Sequence, residues 1–168
     1  MTTIAYRDGV MAADSKATAD ASYRCSDVDK MRSFKNGAWL VGAAGDTMLI
    51  QYAFEHLEPC FGRGGTLKDL CLLDLSDLIA SDTSLENARE EFELLIAHPK
   101  SGRCWFAGLT SSGMLLAYEL KGSYHALGSG ASLALVAMDC GRGAEKAVYA
   151  ACKRDEGTAE PVVVLRGV

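Results

Sequence analysis

Several residue types and patterns are scarce in this sequence, and each scarcity excludes a class of protein. The 168 residues include only three prolines, and no stretch rich in Ser, Pro or Gln has the composition of a linker or a disordered tail. No apolar run approaches the roughly 18 residues that a membrane-spanning helix requires. The N-terminus lacks a basic start followed by a long apolar run, so we predict no secretory signal and a cytoplasmic protein.

Positive charge is scarce and dispersed along the chain. The 17 Lys and Arg residues are outnumbered by 22 Asp and Glu residues, which gives a formal net charge of -5. The nearest approach to a basic run is Lys153-Arg154, and Asp155-Glu156 follows it at once. Because a phosphate backbone attracts a clustered basic face, we expect no nucleic-acid partner.

Six cysteines are present, but their spacing matches neither a metal site nor a disulfide framework. No two of them form a C-x-x-C pair, and the sequence has only three histidines, so a zinc site has little support. In a chain without a secretory signal we expect reduced, mostly buried thiols, and we expect no metal or other cofactor. The cysteines are Cys25, Cys60, Cys71, Cys104, Cys140 and Cys152.

The order of apolar patterns and turn residues predicts strands, two helices, strands, two helices and a last strand. Two antiparallel sheets stacked face to face, with a helix pair on each outer face, would bury these elements in one α+β domain over residues 1–168. We expect residues 15–30 to be irregular and the acidic run from Glu86 to Glu93 to face solvent. The predicted strands are 3–7, 10–13, 30–34, 38–44, 92–97, 103–109, 114–120, 124–127 and 161–165, and the predicted helices are 46–58, 66–81, 130–140 and 144–154.

Thr2 is the first residue whose position suggests chemistry. It lies at the very start of a predicted strand, which would hold it in place, whereas most N-termini are loose. A small second residue permits removal of Met1, and the freed α-amine, with a reference pKa of about 8, can act as general base for the hydroxyl of the same residue. Taken alone, a threonine at position 2 is more often an accident of the start site.

Such a site would need three supports, and the sequence offers a candidate for each. A cation near the amine keeps it neutral part of the time, an anion holds that cation, and backbone N–H groups stabilise the oxyanion. Lys30, Asp14 and the glycines Gly42 and Gly45 have suitable positions. Taken singly, they are more often a surface lysine, a turn aspartate and packing glycines.

The combination of these residues, in this order, resembles proteasome β-subunits and HslV, the peptidase of the bacterial two-component ATP-dependent protease. The resemblance runs from residue 2 to about residue 165, and no single motif in it is specific. The matching segments are Thr2-Thr3-Ile4-Ala5, Asp14, Lys30, Gly42-Ala43-Ala44-Gly45-Asp46, Gly128-Ser129-Gly130 and Arg154-Asp155.

The resemblance implies a role for each matching residue. Thr2 would be the nucleophile and its amine the base, Lys30 would lower the pKa of the Thr2 centre, and Asp14 would orient Lys30. The N–H of Gly42 would form the oxyanion hole. The remaining implied members are Ser129 and Asp155 around the amine and a water, Thr158 as a weaker member of that cluster, and Ala43 and Asp46 as the wall of a pocket for apolar substrate side chains.

The resemblance also implies a four-layer αββα fold and a threonine-type endopeptidase that assembles into stacked homo-oligomeric rings. Its substrate would be unfolded protein or peptide. An ATP-dependent unfoldase would have to be a separate partner, since the sequence has no nucleotide-binding loop. Two departures from the family pattern are a short first hairpin, which brings Asp14 early, and Ala159-Glu160, where proteasome subunits commonly have a glycine pair.

Three other interpretations remain open from the sequence. The chain could be a non-catalytic ring or scaffold subunit with the same fold, or a small-molecule amidase that uses the same N-terminal chemistry. A Cys/His nucleophilic pair is also conceivable, although His56, His98 and His125 lie in different predicted elements and buried structural cysteine is the commoner case.

Overall fold

The computed structural model describes residues 2–19, 23–25, 29–68, 74–82 and 84–168. Within these ranges the chain forms strands β1 Thr3–Arg7, β2 Val10–Asp14, β3 Ala17–Ala19, β4 Tyr23–Cys25, β5 Met31–Phe34, β6 Trp39–Ala44, β7 Glu93–His98, β8 Arg103–Leu109, β9 Leu115–Leu120, β10 Tyr124–Gly128 and β11 Val162–Arg166. The helices are α1 Thr47–His56, α2 Ser76–Ser81, α3 Ser84–Ala88, α4 Ala131–Asp139 and α5 Ala144–Cys152. No helix in the described ranges is long and apolar enough to cross a bilayer.

Two antiparallel sheets form the centre of the fold. The first sheet has the strand order β10-β1-β2-β11, and the second has the order β5-β6-β7-β8-β9. Strands β3 and β4 pair only with each other among the described strands. The predicted α+β class and the two antiparallel sheets are therefore confirmed.

Three hydrophobic layers join the sheets and the helices. Ile4, Tyr6 and Met11 of the first sheet pack between the sheets, against residues such as Leu40 and Leu95 of the second. Small alanines let α4 and α5 approach the outer face of the first sheet, and large aromatic side chains fill the outer face of the second sheet beneath α1. Because side chains alternate along a strand, β1 turns Ile4 toward the second sheet and its neighbours toward the helices.

The first hairpin fixes the position of the N-terminus. Asp8 and Gly9 have φ angles of +50° and +78°, as a type I′ turn requires. This short turn aligns Ile4 with Ala13, so the next residue, Asp14, returns beside Thr3. The N–H of Thr3 donates to Oδ1 of Asp14 at 2.9 Å, which holds the start of β1 in place.

The helix predicted over residues 66–81 is wrong in its first part. Leu67 forms an isolated bridge with Phe61, and Asp74 forms one with Met114, so these residues are extended. The helix begins only at Ser76, and residues 69–73 lie outside the described ranges. A further difference is the β3–β4 hairpin within the segment expected to be irregular. The acidic run overlaps helix α3, and its Glu86, Glu90 and Glu91 are exposed, as expected.

Gly42 lies in the middle of β6, where a side chain has no room. A Cβ atom there would lie 2.6 Å from Cγ2 of Ile4 and 3.2 Å from Sδ of Met11. We expect Gly42→Ala to lower the free energy of unfolding by about 1–3 kcal/mol, because overpacking displaces Ile4. Urea denaturation measures this, with Gly143→Ala as the control, since no atom lies within 4 Å of its Cβ position. Equal stability of the two variants would contradict this account.

Candidate active site

A buried ion pair lies at the open end of the β1–β2 hairpin. Nζ of Lys30 donates to Oδ1 of Asp14 at 3.0 Å, and the two side chains are 4% and 0% exposed. Lys30 immediately precedes β5, and its carbonyl accepts from the N–H of Ala43 at 2.8 Å. Burial lowers the pKa of Lys30, and the charge and hydrogen bond of Asp14 offset part of this effect. Two charges this deeply buried require each other as partners.

Backbone groups hold the Asp14 carboxylate from several sides. In addition to Thr3, the N–H of Lys16 donates to Oδ2 at 3.2 Å and the N–H of Ala159 donates to Oδ2 at 3.4 Å. Nζ of Lys30 also donates to the carbonyl of Lys16. The position of the ammonium group is therefore fixed by both its anion and the backbone.

A second polar cluster forms where α4 and the segment after α5 approach the start of β1. Oγ of Ser129 donates to Oδ2 of Asp155 at 2.8 Å, and the hydroxyl of Thr158 donates to the same oxygen. Burial by itself raises the pKa of Asp155, but the hydrogen bonds from Thr158, Ser129 and the backbone, with the charge of Lys16, outweigh burial and lower it. Asp155 is thus held in its ionised form.

Two glycines allow this cluster to approach β1. A Cβ atom on Gly128, whose φ is +88°, would lie 2.0 Å from the carbonyl oxygen of Thr2. A Cβ atom on Gly130 would lie 2.1 Å from Oγ1 of Thr3. The Gly-Ser-Gly sequence is therefore required by backbone geometry, because any side chain at either glycine would displace the N-terminal strand.

Thr2 lies where the two clusters meet, and it is only 5% exposed. Its carbonyl accepts from Oγ of Ser129 at 3.4 Å. The next residue, Thr3, joins the clusters, because its N–H binds Asp14 and its hydroxyl lies 2.5 Å from that of Thr158. One hydrogen-bonded network therefore contains six of the predicted residues: Thr2, Asp14, Lys30, Ser129, Asp155 and Thr158.

Gly42 and Ala43 take part in sheet pairing, and the N–H of Ala43 donates to the backbone carbonyl of Lys30. The N–H of Ala43 points toward β5, so strand alternation turns the N–H of Gly42 toward β7, where Leu95 is its partner. The side chain of Ala43 is fully buried in the core between the second sheet and α1. Neither residue presents a group to the surface near Thr2.

The end of β6 carries two exposed or half-buried groups. Gly45 is exposed, its φ is +120°, and its N–H has no hydrogen-bond partner among the described residues. Strand alternation gives this N–H the same direction as that of Ala43, which is the side of Lys30. Asp46 caps α1, where its Oδ1 accepts from the N–H of Met48 at 2.8 Å.

The sheets and their flanking helices match solved structures over nearly the whole chain. The chain is 22% identical to HslV of Trypanosoma brucei, with a TM-score of 0.63 over 98% of this chain and 99% of that one. BPH of Thiobacillus denitrificans, in complex with epoxomicin, is 18% identical, with a TM-score of 0.56 over 99% and 98%. A second structure of BPH is 19% identical, with a TM-score of 0.54 over 99% of this chain and 98% of that one. This chain has the HslV fold.

The likeness lies in structure far more than in sequence. No family model matches the sequence, and no curated protein matches it. An identity of 22% over the full length establishes the HslV fold but no activity, because one fold hosts many functions. The four-layer arrangement expected from the resemblance is nonetheless confirmed.

Sequence reasoning did not assign roles to two residues of the site. Thr3 is fully buried and links Asp14 to Thr158. Lys16 supplies the carbonyl that accepts from Lys30, and its own Nζ donates to the carbonyl of Glu156 at 2.5 Å. In the sequence, Thr3 could have been noticed as a polar residue on the face of β1 that packs against the helices, where the neighbouring residues are alanines. The carbonyl of Lys16 binds Lys30 whatever its side chain, so its residue type does not reveal this contact.

The cysteines within the HslV fold are poorly suited to be nucleophiles. Cys60 and Cys104 are buried, Cys152 is half-buried and Cys140 is exposed, and all four are free thiols. Burial, assisted by Glu119, raises the pKa of Cys104 to about 12, and burial, assisted by Asp14 and Glu160, raises that of Cys152 to about 11. Cys71 and the side chain of Cys25 lie outside the described part of the chain.

These pKa shifts predict a clear order of thiol reactivity. The thiolate is the reacting form, so at pH 8 Cys104 and Cys152 are almost fully protonated. We expect iodoacetamide at pH 8 to alkylate Cys140, which is exposed, at least ~10-fold faster than Cys104 or Cys152. Peptide mapping by mass spectrometry measures the three rates. Rapid labelling of Cys104 in the folded protein would restore a cysteine nucleophile as a candidate.

Proposed function

We propose that this chain is a threonine-type peptidase subunit whose nucleophile is the hydroxyl of Thr2, once Met1 is removed. The observation that carries the proposal is the hydrogen-bonded network at the start of β1, which joins Thr3 to the buried Lys30–Asp14 pair and the carbonyl of Thr2 to Ser129–Asp155. A buried ion pair costs desolvation energy and is weak evidence for stability alone. Its position beside a candidate nucleophile supports a catalytic use.

The proposed reaction uses only groups of Thr2 for bond making and proton transfer. The neutral α-amine accepts the hydroxyl proton while Oγ1 attacks the carbonyl carbon of the scissile peptide. The amine then returns this proton to the leaving nitrogen as the C–N bond breaks, which leaves an ester on Oγ1. A water that the same amine deprotonates then attacks the ester carbonyl. The amine returns the proton to Oγ1 as the bond between Oγ1 and the carbonyl carbon breaks, which releases the carboxylic acid product and regenerates Thr2.

The surrounding residues are proposed to position and stabilise these groups. The ammonium of Lys30 lowers the pKa of the Thr2 amine and stabilises negative charge on Oγ1, while Asp14 orients Lys30. Ser129 and Asp155 orient the amine. For the oxyanion we propose the N–H of Gly45 in place of that of Gly42, since the Gly42 N–H faces β7.

We propose unfolded protein or peptide as the substrate and homo-oligomeric rings as the working form. The likeness in fold to HslV and to BPH, each over at least 98% of both chains, supports this assignment. Asp46, half-buried at the end of β6, is proposed to contact the substrate, whereas fully buried Ala43 is left out of the pocket. An ATP-driven unfoldase would be a separate partner. Free thiols fit a reducing compartment such as the cytoplasm.

The intact mass of the purified protein tests the proposal, measured with and without epoxomicin, the compound bound to BPH. We expect a mass that lacks Met1 and one adduct per chain, located on Thr2 by peptide mapping. A mass that retains Met1, with no adduct, would contradict the proposal and favour a non-catalytic ring subunit. Native mass spectrometry of the same sample distinguishes a ring from the small oligomer expected of a small-molecule amidase.

A further inference from the structure

A cavity of about 600 Å³ lies at the opposite end of the second sheet from the candidate active site. Lys30 precedes the start of β5, whereas Lys35 follows its end and lines this cavity. Other lining residues come from the loop before Lys68 and from the end of β7 at His98. We call it the basic cavity, because its lining includes Lys35, Arg63, Lys68, His98 and Lys100 and, within the described part of the chain, no acidic residue.

Basic residues that are dispersed along the sequence lie close together at this cavity in the fold. Lys35 pairs with Glu58 at 3.2 Å, but Arg63, Lys68 and Lys100 form no ion pair among the described residues. These three cations are exposed in a protein whose net charge is -5. A concave site lined by one sign of charge concentrates its field and attracts a ligand of the opposite sign.

Gly62, Arg63 and Gly64 form one wall of the basic cavity, and several carbonyl groups of their loop are bound by the protein itself. The carbonyl of Gly62 accepts from Nε1 of Trp39 at 3.2 Å, and the carbonyl of Gly65 accepts from Nη1 of Arg103 at 3.1 Å. The carbonyl of Thr66 accepts from the N–H of Gly62 at 2.9 Å. The negative ends of three peptide dipoles are therefore already engaged.

The backbone of this loop has a conformation suited to an anion. Arg63 begins a short 3₁₀ turn, and Gly64 follows with φ +70° and ψ +21°. A right-handed residue followed by a left-handed one turns successive N–H groups to one side, which forms an anion-binding nest. Both residues line the basic cavity, and a Cβ atom on Gly64 would meet no atom within 4 Å.

His98 adds a neutral donor to the same wall. Its Nδ1 accepts from the N–H of Ser101 at 3.3 Å, so the neutral ring carries its proton on Nε2. Burial, together with the charges of Lys100 and Arg103, lowers the pKa of His98 and favours this neutral form. Nε2 has no hydrogen-bond partner among the described residues, which leaves its proton free to bind a ligand.

We propose that the basic cavity binds a small phosphate-bearing ligand, with Arg63, Lys68 and Lys100 supplying charge and the Arg63–Gly64 nest supplying backbone N–H groups. A tetrahedral dianion uses several donors at once, and Arg binds such oxyanions through two parallel hydrogen bonds. Inorganic phosphate, pyrophosphate and nucleoside triphosphates share this chemistry. The site is separate from Thr2 and does not depend on the peptidase proposal.

Isothermal titration calorimetry of the full chain, at an ionic strength near 0.15 M, tests the proposal with phosphate, pyrophosphate and ATP as separate probes. We expect saturable binding of at least one probe. If ATP binds more tightly than pyrophosphate, the ligand is a nucleotide, whereas equal affinities identify the phosphate group alone. Absence of binding for all three probes would overturn the proposal.

Two variants at Gly64 separate charge from backbone shape. Asp and Asn have nearly the same shape and both tolerate a left-handed conformation, but only Asp carries a negative charge. We expect Gly64→Asp to weaken binding by about 10-fold or more and Gly64→Asn to change it by less than about 3-fold. Equal affinities for the two variants would show that the probe binds elsewhere.

A second pair of variants tests whether any basic patch suffices. Arg63→Gln with Lys68→Gln removes two cations of the basic cavity, and Lys146→Gln with Lys153→Gln removes two from the groove between α4 and α5. We expect about a 10-fold loss for the first pair and less than a 2-fold change for the second. Equal losses would overturn the proposal. Labelling of Thr2 by epoxomicin should remain unchanged in both, so a failure here is distinct from a failure of the peptidase mechanism.

Discussion

Replacement of Thr2 with alanine is expected to lower peptidase activity by roughly 10³-fold or more, because it removes the nucleophile and leaves only binding and oxyanion contacts. Alanine is also small, so Met1 should still be removed, and the free amine, the Lys30–Asp14 pair and the Ser129–Asp155 cluster should persist. Cleavage of a fluorogenic peptide under single-turnover conditions measures the loss. Intact mass confirms that the variant has the same N-terminus.

The matched control is Thr2→Ser, which retains both an α-amine and a hydroxyl. We expect it to keep measurable activity and to form the epoxomicin adduct, while Thr2→Ala forms none. Thr2 is buried and contacts Ser129 only through its carbonyl, so neither change should alter the fold. If Thr2→Ala retained the activity of the unmodified protein, the nucleophile would have to be another residue.

The parts of the fold that sequence predicted well are those governed by local patterns. The Asp8-Gly9 turn needs two residues with positive φ. The strands on each side show alternating or continuously apolar residues, so their bounds were predicted within a few residues. The helix predicted over residues 66–81 was wrong in its first part because the leucine spacing there resembles that of a helical face. The partners of this segment are distant in sequence. Asp74 forms a bridge with Met114, and a Cβ atom on Gly113 would lie only 2.9 Å from Cα of Ser76.

In the candidate active site, too, residue type predicted some members, whereas the contacts between distant residues required the structure. Lys30 and Asp14 were suggested by charge and position, and the structure pairs them. The link between Thr3 and Thr158 spans 155 positions, and neither residue type reveals it. The proposal of Gly45 instead of Gly42 for the oxyanion also depends on the fold, because strand pairing engages the N–H of Gly42 while the positive φ of Gly45 ends the strand.

The second large effect is expected for Lys30→Met, which leaves the Asp14 carboxylate buried without its ammonium partner. We expect the free energy of unfolding to fall by about 3–5 kcal/mol, since a buried charge loses its partner. The rate of epoxomicin labelling should fall by about 10²-fold or more, since the proposed ammonium no longer stabilises negative charge on Oγ1. Urea denaturation and labelling kinetics measure the two effects on the same preparation.

The pH dependence of labelling distinguishes a role in catalysis from a role in folding alone. Only the neutral Thr2 amine acts as base, so the rate rises with pH through the pKa of that amine. A nearby cation lowers this pKa, so its removal raises the pKa and moves the rising limb to higher pH, by about one pH unit or more. A purely structural role for Lys30 predicts a slower rate with an unchanged midpoint.

The double variant Lys30→Met with Asp14→Asn completes the test, because it removes both buried charges together. Stability should recover in part, because no unpaired charge remains and the single oxygen of the new side-chain amide can still accept from the N–H of either Thr3 or Lys16, although not from both. The pH midpoint should return toward its original value, because the uncompensated carboxylate is gone. The labelling rate should nevertheless stay low, because no ammonium group remains beside Thr2. Recovery of the rate along with stability would show that the ion pair holds the hairpin and contributes nothing further to the chemistry.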